Sequence, residues 1–253
     1  MNLYKLGLLT TFLLGIFILI GAIISLLVSK REKIEEFSIG LAFGVITTLI
    51  VSDLLPEAFD IFHWKRIYLL VIFSLLGFGI LKVLDHFVPD HHEEHKLTKK
   101  ESKSNLTHIG VVTTYALILH NILEGMAIYS TTLTNSTMTV PLALGIGFHN
   151  IPLGMVIASS MYHTEKDKKK TYLSIIFVSL STFVGGLIMY LFHLNEINDL
   201  AAGILLSITL GMLFYIVIDE LFPRIKKTKD KKTAFMGIGI GILILCIAFF
   251  IGK

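Results

Sequence analysis

The sequence has little of what a water-soluble or disulfide-stabilised protein needs. Its 253 residues include a single cysteine, Cys246, and only 16% are charged, whereas 54% are hydrophobic and the mean hydropathy is +0.76. One cysteine excludes both a disulfide framework within the chain and a cysteine metal cluster. The formal net charge of +3 comes from lysines in short loops between apolar runs, which does not indicate nucleic-acid binding. The composition therefore predicts a protein whose solvent is the lipid bilayer.

Apolar runs long enough to cross a membrane recur along the chain. A hydrocarbon core of about 30 Å requires roughly 20 helical residues at 1.5 Å each. The first run, from Leu6 to Val28, is too long for a secretory signal and no small-residue cleavage pattern follows it. We predict an all-α polytopic membrane protein, a single transmembrane domain over residues 1–253, with eight transmembrane helices at residues 4–28, 36–59, 65–88, 107–131, 138–162, 171–194, 198–222 and 233–252.

Positive charges are concentrated in every second connection, and therefore on one side of this arrangement. Lysine and arginine near the ends of spans tend to stay in the cytoplasm. The first, third, fifth and seventh connections are rich in them, and the opposite side has only Lys5, Lys65, Arg66 and Lys253. With an even number of spans, this bias places both termini outside the cytoplasm.

The longest predicted connection, at about residues 89–106, is a cytoplasmic loop rich in histidine and lysine. It contains His91, His92 and His95, which could bind a metal weakly because imidazole suits zinc and its neighbours. The alternative is a solvated polar loop with no metal. The sequence leaves both interpretations open.

Two related motifs lie inside predicted membrane helices. Helix four contains HNILEG from His120 to Gly125, and helix five contains HNIPLG from His149 to Gly154. Polar groups at this depth cost a few kcal/mol each, so they are candidates for function. We estimate that both motifs lie near mid-membrane, about 16 to 20 Å from the helix starts.

The motif residues have the chemistry of metal ligands. His120 and Glu124 are one helical turn apart, so both side chains can reach one ion. His149 would add an imidazole from an antiparallel helix, and Asn121 and Asn150 offer amide oxygens, which together suit zinc or a similar divalent ion. A single buried His or Asn more often makes an interhelical hydrogen bond, but two His-Asn pairs with a glutamate on the same face favour a metal site.

Four carboxylates lie near the ends of helices two and seven. Asp53 and Glu57 fall at the outer end of helix two, and Asp219 and Glu220 at the inner end of helix seven. They could attract cations at an entrance and an exit. They could equally cap a helix or pair with a basic residue at the interface.

The motifs resemble those of the ZIP (zinc/iron permease) family of metal transporters, of the prokaryotic type. Further matches are GLAFG at residues 40–44, DLLPEAF at 53–59, LDHFVPDHHEEH at 84–95 and IDELFPR at 218–224. The resemblance implies a divalent metal, most commonly zinc, as substrate, flow toward the cytoplasm, no organic cofactor and a homodimer in a prokaryotic plasma membrane. It also implies that His120, Asn121, Glu124, His149 and Asn150 form the transport site, and that a four-helix bundle moves against the other helices like an elevator.

The chain departs from the family pattern at three positions. Leu153 and Thr182 stand where the family often has glutamates, and Leu123 replaces a proline. With Glu124 as the only carboxylate, repulsion between two adjacent divalent ions would be poorly offset. We therefore predict one ion per site.

Two other functions fit parts of the sequence. An intramembrane metal-dependent hydrolase would need a general base beside its metal, but no HExxH sequence is present because Asn follows each motif histidine. A transport-impaired relative that senses metal through the histidine-rich loop is the other alternative.

Overall fold

The computed structural model describes residues 2–28, 34–87, 99–134, 136–162, 168–194, 198–228 and 230–252. These residues form eight long helices and no strand. The helices are α1 (Leu3–Val28), α2 (Ile34–Leu49, continuing through Ile50–Leu54 and Leu55–Phe62), α3 (Ile67–Phe87), α4 (Lys99–Thr134), α5 (Thr139–Tyr162), α6 (Lys168–Leu191), α7 (Asp199–Tyr215, continuing through Ile216–Leu221 and Phe222–Lys227) and α8 (Lys231–Gly252).

The helix order confirms an all-helical, polytopic membrane architecture. Within the described residues, seven helices, α1 to α7, are long and apolar enough to cross a membrane by length and composition. Helix α8 has 22 residues and occupies the predicted eighth run. The eighth crossing and the side of the membrane on which the termini lie remain predictions.

Helix α4 begins earlier than the sequence predicts. Its first residue is Lys99, so that the last part of the connection predicted at residues 89–106 is helical. The candidate loop ligands His91, His92 and His95 lie outside the described residues.

Helices α2 and α7 each contain a π-helical turn followed by a proline. In α2 the turn is Ile50–Leu54 with Pro56 just after it, and in α7 it is Ile216–Leu221 with Pro223 just after it. Each proline stands at the start of a new α-helical stretch, where its missing N–H costs least. Both helices therefore continue beyond the predicted ends, to Phe62 and Lys227.

The eight helices pack as two groups. Helices α1, α4, α5 and α6, which we call the motif bundle, all contact one another. Helices α2, α3, α7 and α8, which we call the flanking group, pack mainly as the pairs α2 with α8 and α3 with α7. In the described part of the chain, α4 and α5 make the main contacts of the motif bundle with the flanking group. The two motifs therefore lie on the helices that form the boundary.

Close backbone approaches at glycines follow the same division. A Cβ on Gly125 of α4 would collide with the carbonyl oxygen of Thr182 on α6, and one on Gly40 of α2 would collide with that of Ala234 on α8. Among the described residues, every close approach of this kind joins two helices of the same group. The other glycines that lie against a backbone atom of a neighbouring helix are Gly15, Gly21, Gly154 and Gly185 in the motif bundle and Gly44, Gly77, Gly211, Gly237 and Gly241 in the flanking group. Glycines let helices approach closely in a membrane, so each group is tightly locked internally.

Candidate metal centre

The strongest feature of the site is the pair His120 and Glu124 on α4. The Nε2 atom of His120 lies 3.1 Å from the Oε1 atom of Glu124, and the two side chains are 3% and 10% exposed. The i, i+4 spacing on a regular helix produces this contact, as the sequence predicts. An imidazole and a carboxylate therefore meet in the interior of the protein.

The separation of the pair suits chelation of one cation. Ligand atoms about 2.1 Å from a zinc ion are about 3.0 to 3.4 Å apart at octahedral to tetrahedral angles. The observed 3.1 Å lies within that range. A divalent ion could therefore replace the contact between the two side chains without a large rearrangement of α4.

Asn121 points toward α6. Its side chain is fully buried, and its Nδ2 donates to the carbonyl oxygen of Val178 over 3.2 Å. The Ser181 hydroxyl donates to the same carbonyl over 2.6 Å. The Oδ1 atom of Asn121 has no hydrogen-bond partner among the described residues. The sequence does not predict the contact with Val178, because every residue has a backbone carbonyl and residue type does not show which one accepts a hydrogen bond.

Asn150 on α5 is buried without any partner. Its side chain is 0% exposed, and neither its Oδ1 nor its Nδ2 makes a hydrogen bond within the described part of the chain. A buried amide left in this state costs about 1–3 kcal/mol for each unmade bond, and such groups in native proteins usually meet a water or an ion. The side chain of His149 lies outside the part that the structure describes, although its backbone belongs to α5.

The register of α4 against α5 brings the two motifs close in depth. The Thr114 hydroxyl lies 4.0 Å from the sulfur of Met161, so these two residues of the antiparallel helices lie at a similar depth. Glu124 lies ten residues after Thr114 in α4, and Ile151 lies ten residues before Met161 in α5. Because the helices are antiparallel, Glu124 and Ile151 lie at about the same depth. His149 and Asn150 are then only about 1.5 to 3 Å along the axis from the level of Glu124, at 1.5 Å per residue.

The predicted entrance carboxylates approach this site. Asp53 is half-buried in the π-helical turn of α2 and Glu57 is exposed one turn later. The Glu57 carboxyl is near enough to interact electrostatically with Asp53, His120 and Glu124. Asp53 and Glu57 of α2 are therefore within electrostatic range of the His120 and Glu124 pair.

The predicted exit carboxylates lie near a hydrogen-bonded pair, Tyr215 of α7 and Asp85 of α3. Asp219 is exposed and Glu220 half-buried in the π-helical turn of α7, beside Tyr215. The Tyr215 hydroxyl donates to Asp85 of α3 over 2.7 Å. Asp85 is not among the site residues predicted from the sequence, although a carboxylate near the end of a membrane helix is a signal for function.

Two of the three positions that depart from the family pattern, those where the family often has glutamates, are enclosed. Leu153 is 0% exposed and belongs to the hydrophobic core, and Thr182 is 0% exposed with a hydroxyl that has no partner among the described residues. Thr182 is next to the α4 motif, because its carbonyl lies against Gly125. Among the side chains that the structure describes, no three of the His, Cys, Asp or Glu type converge on one point.

Comparison with known proteins finds relatives that are similar along almost the whole chain. The chain is 27% identical to a zinc transporter ZupT of Clostridium perfringens over 98% of this chain and 96% of that protein. It is 24% identical to a ZupT of Oceanobacillus iheyensis over 96% of each, and 26% identical to one of Corynebacterium aurimucosum over 90% and 91%.

The family described as "ZIP Zinc transporter" matches residues 85–248, which include α4 and α5 and both motifs. This match covers well over half of the chain and confirms the resemblance found in the motifs. Members of this family are transporters rather than enzymes, so membership of the family excludes the hydrolase alternative. The chain is an integral membrane protein and belongs to the ZIP zinc transporter family.

Proposed function

We propose that this protein carries zinc, or a related first-row divalent cation, toward the cytoplasm through a site between α4 and α5. The observation that carries the proposal is the buried pair of His120 and Glu124, whose 3.1 Å separation suits one chelated ion. Asn121, His149 and Asn150 complete the proposed ligand set. The relatives named zinc transporters support zinc as the substrate.

The charge of the site favours a single ion that is released readily. Glu124 would be the one carboxylate in the ligand set, because Leu153 and Thr182 are neutral. Two neutral imidazoles and two amides leave a net charge of about +1 with one divalent ion. A second divalent ion within about 4 Å would add a large unscreened repulsion in this enclosed space.

An elevator-like motion is supported by the division of the helices. The glycine contacts lock each group internally, and none in the described residues joins the motif bundle to the flanking group. The boundary can therefore slide while both groups stay intact. We propose that the motif bundle carries the ion past Asp53 and Glu57 on one side and past Asp219 and Glu220 on the other.

Spin labels on exposed side chains test this motion. Phe177 of α6, Leu75 of α3 and Phe12 of α1 are 61%, 67% and 48% exposed, and Cys246 would be replaced to remove background labelling. We expect zinc to change the distance from position 177 to position 75 by about 5 Å or more. The distance from position 177 to position 12, within the motif bundle, should stay constant. Equal changes in both pairs would contradict a sliding boundary.

The setting of the protein is also proposed from its family. We propose a homodimer in a bacterial plasma membrane with both termini outside the cytoplasm. The histidine-rich connection that contains His91, His92 and His95 would then lie in the cytoplasm, where it could collect released ions.

Metal uptake by proteoliposomes tests the function. We expect zinc to enter vesicles that contain the purified protein, and we expect no release of products from lipid or peptide substrates. Replacing His91, His92 and His95 together by alanine should leave uptake measurable, because the transport site lies elsewhere. If the loop variant lost all zinc response while His120→Ala kept it, the protein would be a loop-based sensor.

A further inference from the structure

The turn between α7 and α8 has the highest concentration of positive charge in the chain. Residues 224–232 include six lysine or arginine residues and one aspartate, which is a net charge of +5. The formal net charge of the whole chain is only +3. A basic cluster beside a membrane helix attracts anionic lipid headgroups, in addition to its effect on topology.

The structure holds these charges close together. Only three residues separate the end of α7 at Lys227 from the start of α8 at Lys231. The backbone N–H and the hydroxyl of Thr233 both donate to the Asp230 carboxylate, over 3.1 and 2.7 Å, which caps the start of α8. The carboxylate of the turn is therefore engaged in this cap. The exposed lysines on the two sides of the turn, which we call the basic turn, are Lys226, Lys227, Lys231 and Lys232.

Helix stability accounts for only half of the basic turn. The helix dipole favours cations at the C-terminal end of a helix, where Lys226 and Lys227 lie. Lys231 and Lys232 are the first two residues of α8, where the positive end of the dipole disfavours them. An anion bound against the turn would offset both this effect and the repulsion among the four lysines.

Both helices place an exposed aromatic ring one turn further into the membrane than a lysine. The Nζ atom of Lys226 lies 4.4 Å from the centroid of the Phe222 ring, and Phe222 is 44% exposed. In α8, Phe235 is 62% exposed and follows Lys231 by four residues, so the two share a helix face. Cations at the membrane edge with exposed apolar rings beneath them match a phospholipid, which has its phosphate above its acyl chains. A small soluble anion would make no use of the rings.

We propose that the basic turn binds the headgroup of an anionic phospholipid in the inner leaflet. The choice of leaflet rests on the proposed orientation of the termini, and the site is separate from the proposed metal site. Helices α7 and α8 both belong to the flanking group. The bound lipid would hold this group at a fixed depth while the motif bundle moves as proposed.

Native mass spectrometry of the purified full-length protein measures lipid binding. We expect zwitterionic phosphatidylcholine to bind about tenfold or more weakly than phosphatidylglycerol. Replacing the four lysines of the basic turn by glutamine should weaken phosphatidylglycerol binding about tenfold or more, and replacing them by arginine should preserve it. Zinc binding should stay the same in both variants and checks that they fold. Equal binding of the two lipids, or undiminished phosphatidylglycerol binding by the glutamine variant, would overturn the proposal.

The lysines at the start of α6 provide a matched control. Lys168, Lys169 and Lys170 are also exposed, and the proposed topology places them on the same side of the membrane. Two carboxylates in the same stretch lower the net charge of residues 163–170 to +2. Replacing these three lysines by glutamine should therefore leave phosphatidylglycerol binding nearly unchanged. An equal loss in this variant would indicate a general attraction to the whole face and would overturn a site at the basic turn.

Two measurements on the unmodified protein keep the test decisive if the glutamine variant does not fold. Raising ammonium acetate from about 0.1 to about 1 M should weaken phosphatidylglycerol binding, because the Debye length falls from about 10 to about 3 Å. Inorganic phosphate should compete poorly, since it has no acyl chains to contact Phe222 and Phe235. Lipid binding that is insensitive to salt, or displacement of the lipid by an equal concentration of phosphate, would contradict a lipid site.

Discussion

Glu124→Ala should reduce zinc binding and uptake by two orders of magnitude or more. Glu124 is the one carboxylate in the proposed ligand set, and its Oε1 lies 3.1 Å from His120. Without it, a divalent ion would lie in an enclosed site with no anionic ligand, and an uncompensated buried charge costs about 3–5 kcal/mol. Each 1.4 kcal/mol is a factor of ten in affinity, so the loss should be about two to nearly four orders of magnitude.

Two matched variants show whether the charge or the shape of Glu124 matters. Glu124→Gln keeps the shape and removes the charge, and we expect it to behave like Glu124→Ala. Glu36→Gln removes a carboxylate near the start of α2, far along the chain from both motifs, and should leave uptake unchanged. Initial uptake rates in proteoliposomes check all three variants. Near-normal uptake by Glu124→Gln would show that the carboxylate does not carry the ion.

Gly125→Ala should destabilise the motif bundle and impair transport together. The new Cβ would collide with the carbonyl oxygen of Thr182, which a backbone atom cannot easily avoid. Overpacking of this kind typically costs about 1–3 kcal/mol, and moving α4 away from α6 would also stretch the hydrogen bond from Asn121 to Val178. We expect a lower unfolding temperature in detergent and weaker zinc binding.

Gly79→Ala is the matched control for this effect. A Cβ on Gly79 of α3 would meet nothing within 4 Å. Alanine is favoured over glycine inside a helix by about 0.5–1 kcal/mol, so this variant should be neutral or slightly stabilised. Equal unfolding temperatures for Gly125→Ala and Gly79→Ala would contradict the close packing of α4 on α6.

Composition and hydropathy predicted the helices because long apolar runs have few alternative structures in a membrane. The ends were harder to predict. Residues 99–106 are polar yet helical, which hydropathy does not detect. The prolines Pro56 and Pro223 do not end their helices, since π-helical turns precede them. The sequence contains a shared Ile-Val-x-Asp pattern at both turns, but residue type alone did not identify it as a π-helical turn.

The motifs predicted the site only as far as contacts within one helix. The spacing of His120 and Glu124 fixed their approach because one turn of α-helix sets it. The electrostatic influence of Glu57 on this pair and the hydrogen bond from Asn121 to Val178 depend on how separate helices pack. Such contacts are between residues far apart in sequence, and one of them uses a backbone carbonyl, so residue types could not predict them.

Zinc-edge X-ray absorption on the zinc-loaded protein, with His91, His92 and His95 replaced by alanine, tests the central claim most directly. We predict one zinc ion per chain in a shell of nitrogen and oxygen atoms with imidazole scattering, and we predict that His120→Ala loses the zinc or weakens this scattering. Zinc that stays bound with an unchanged shell in His120→Ala would show that the ion does not bind between α4 and α5.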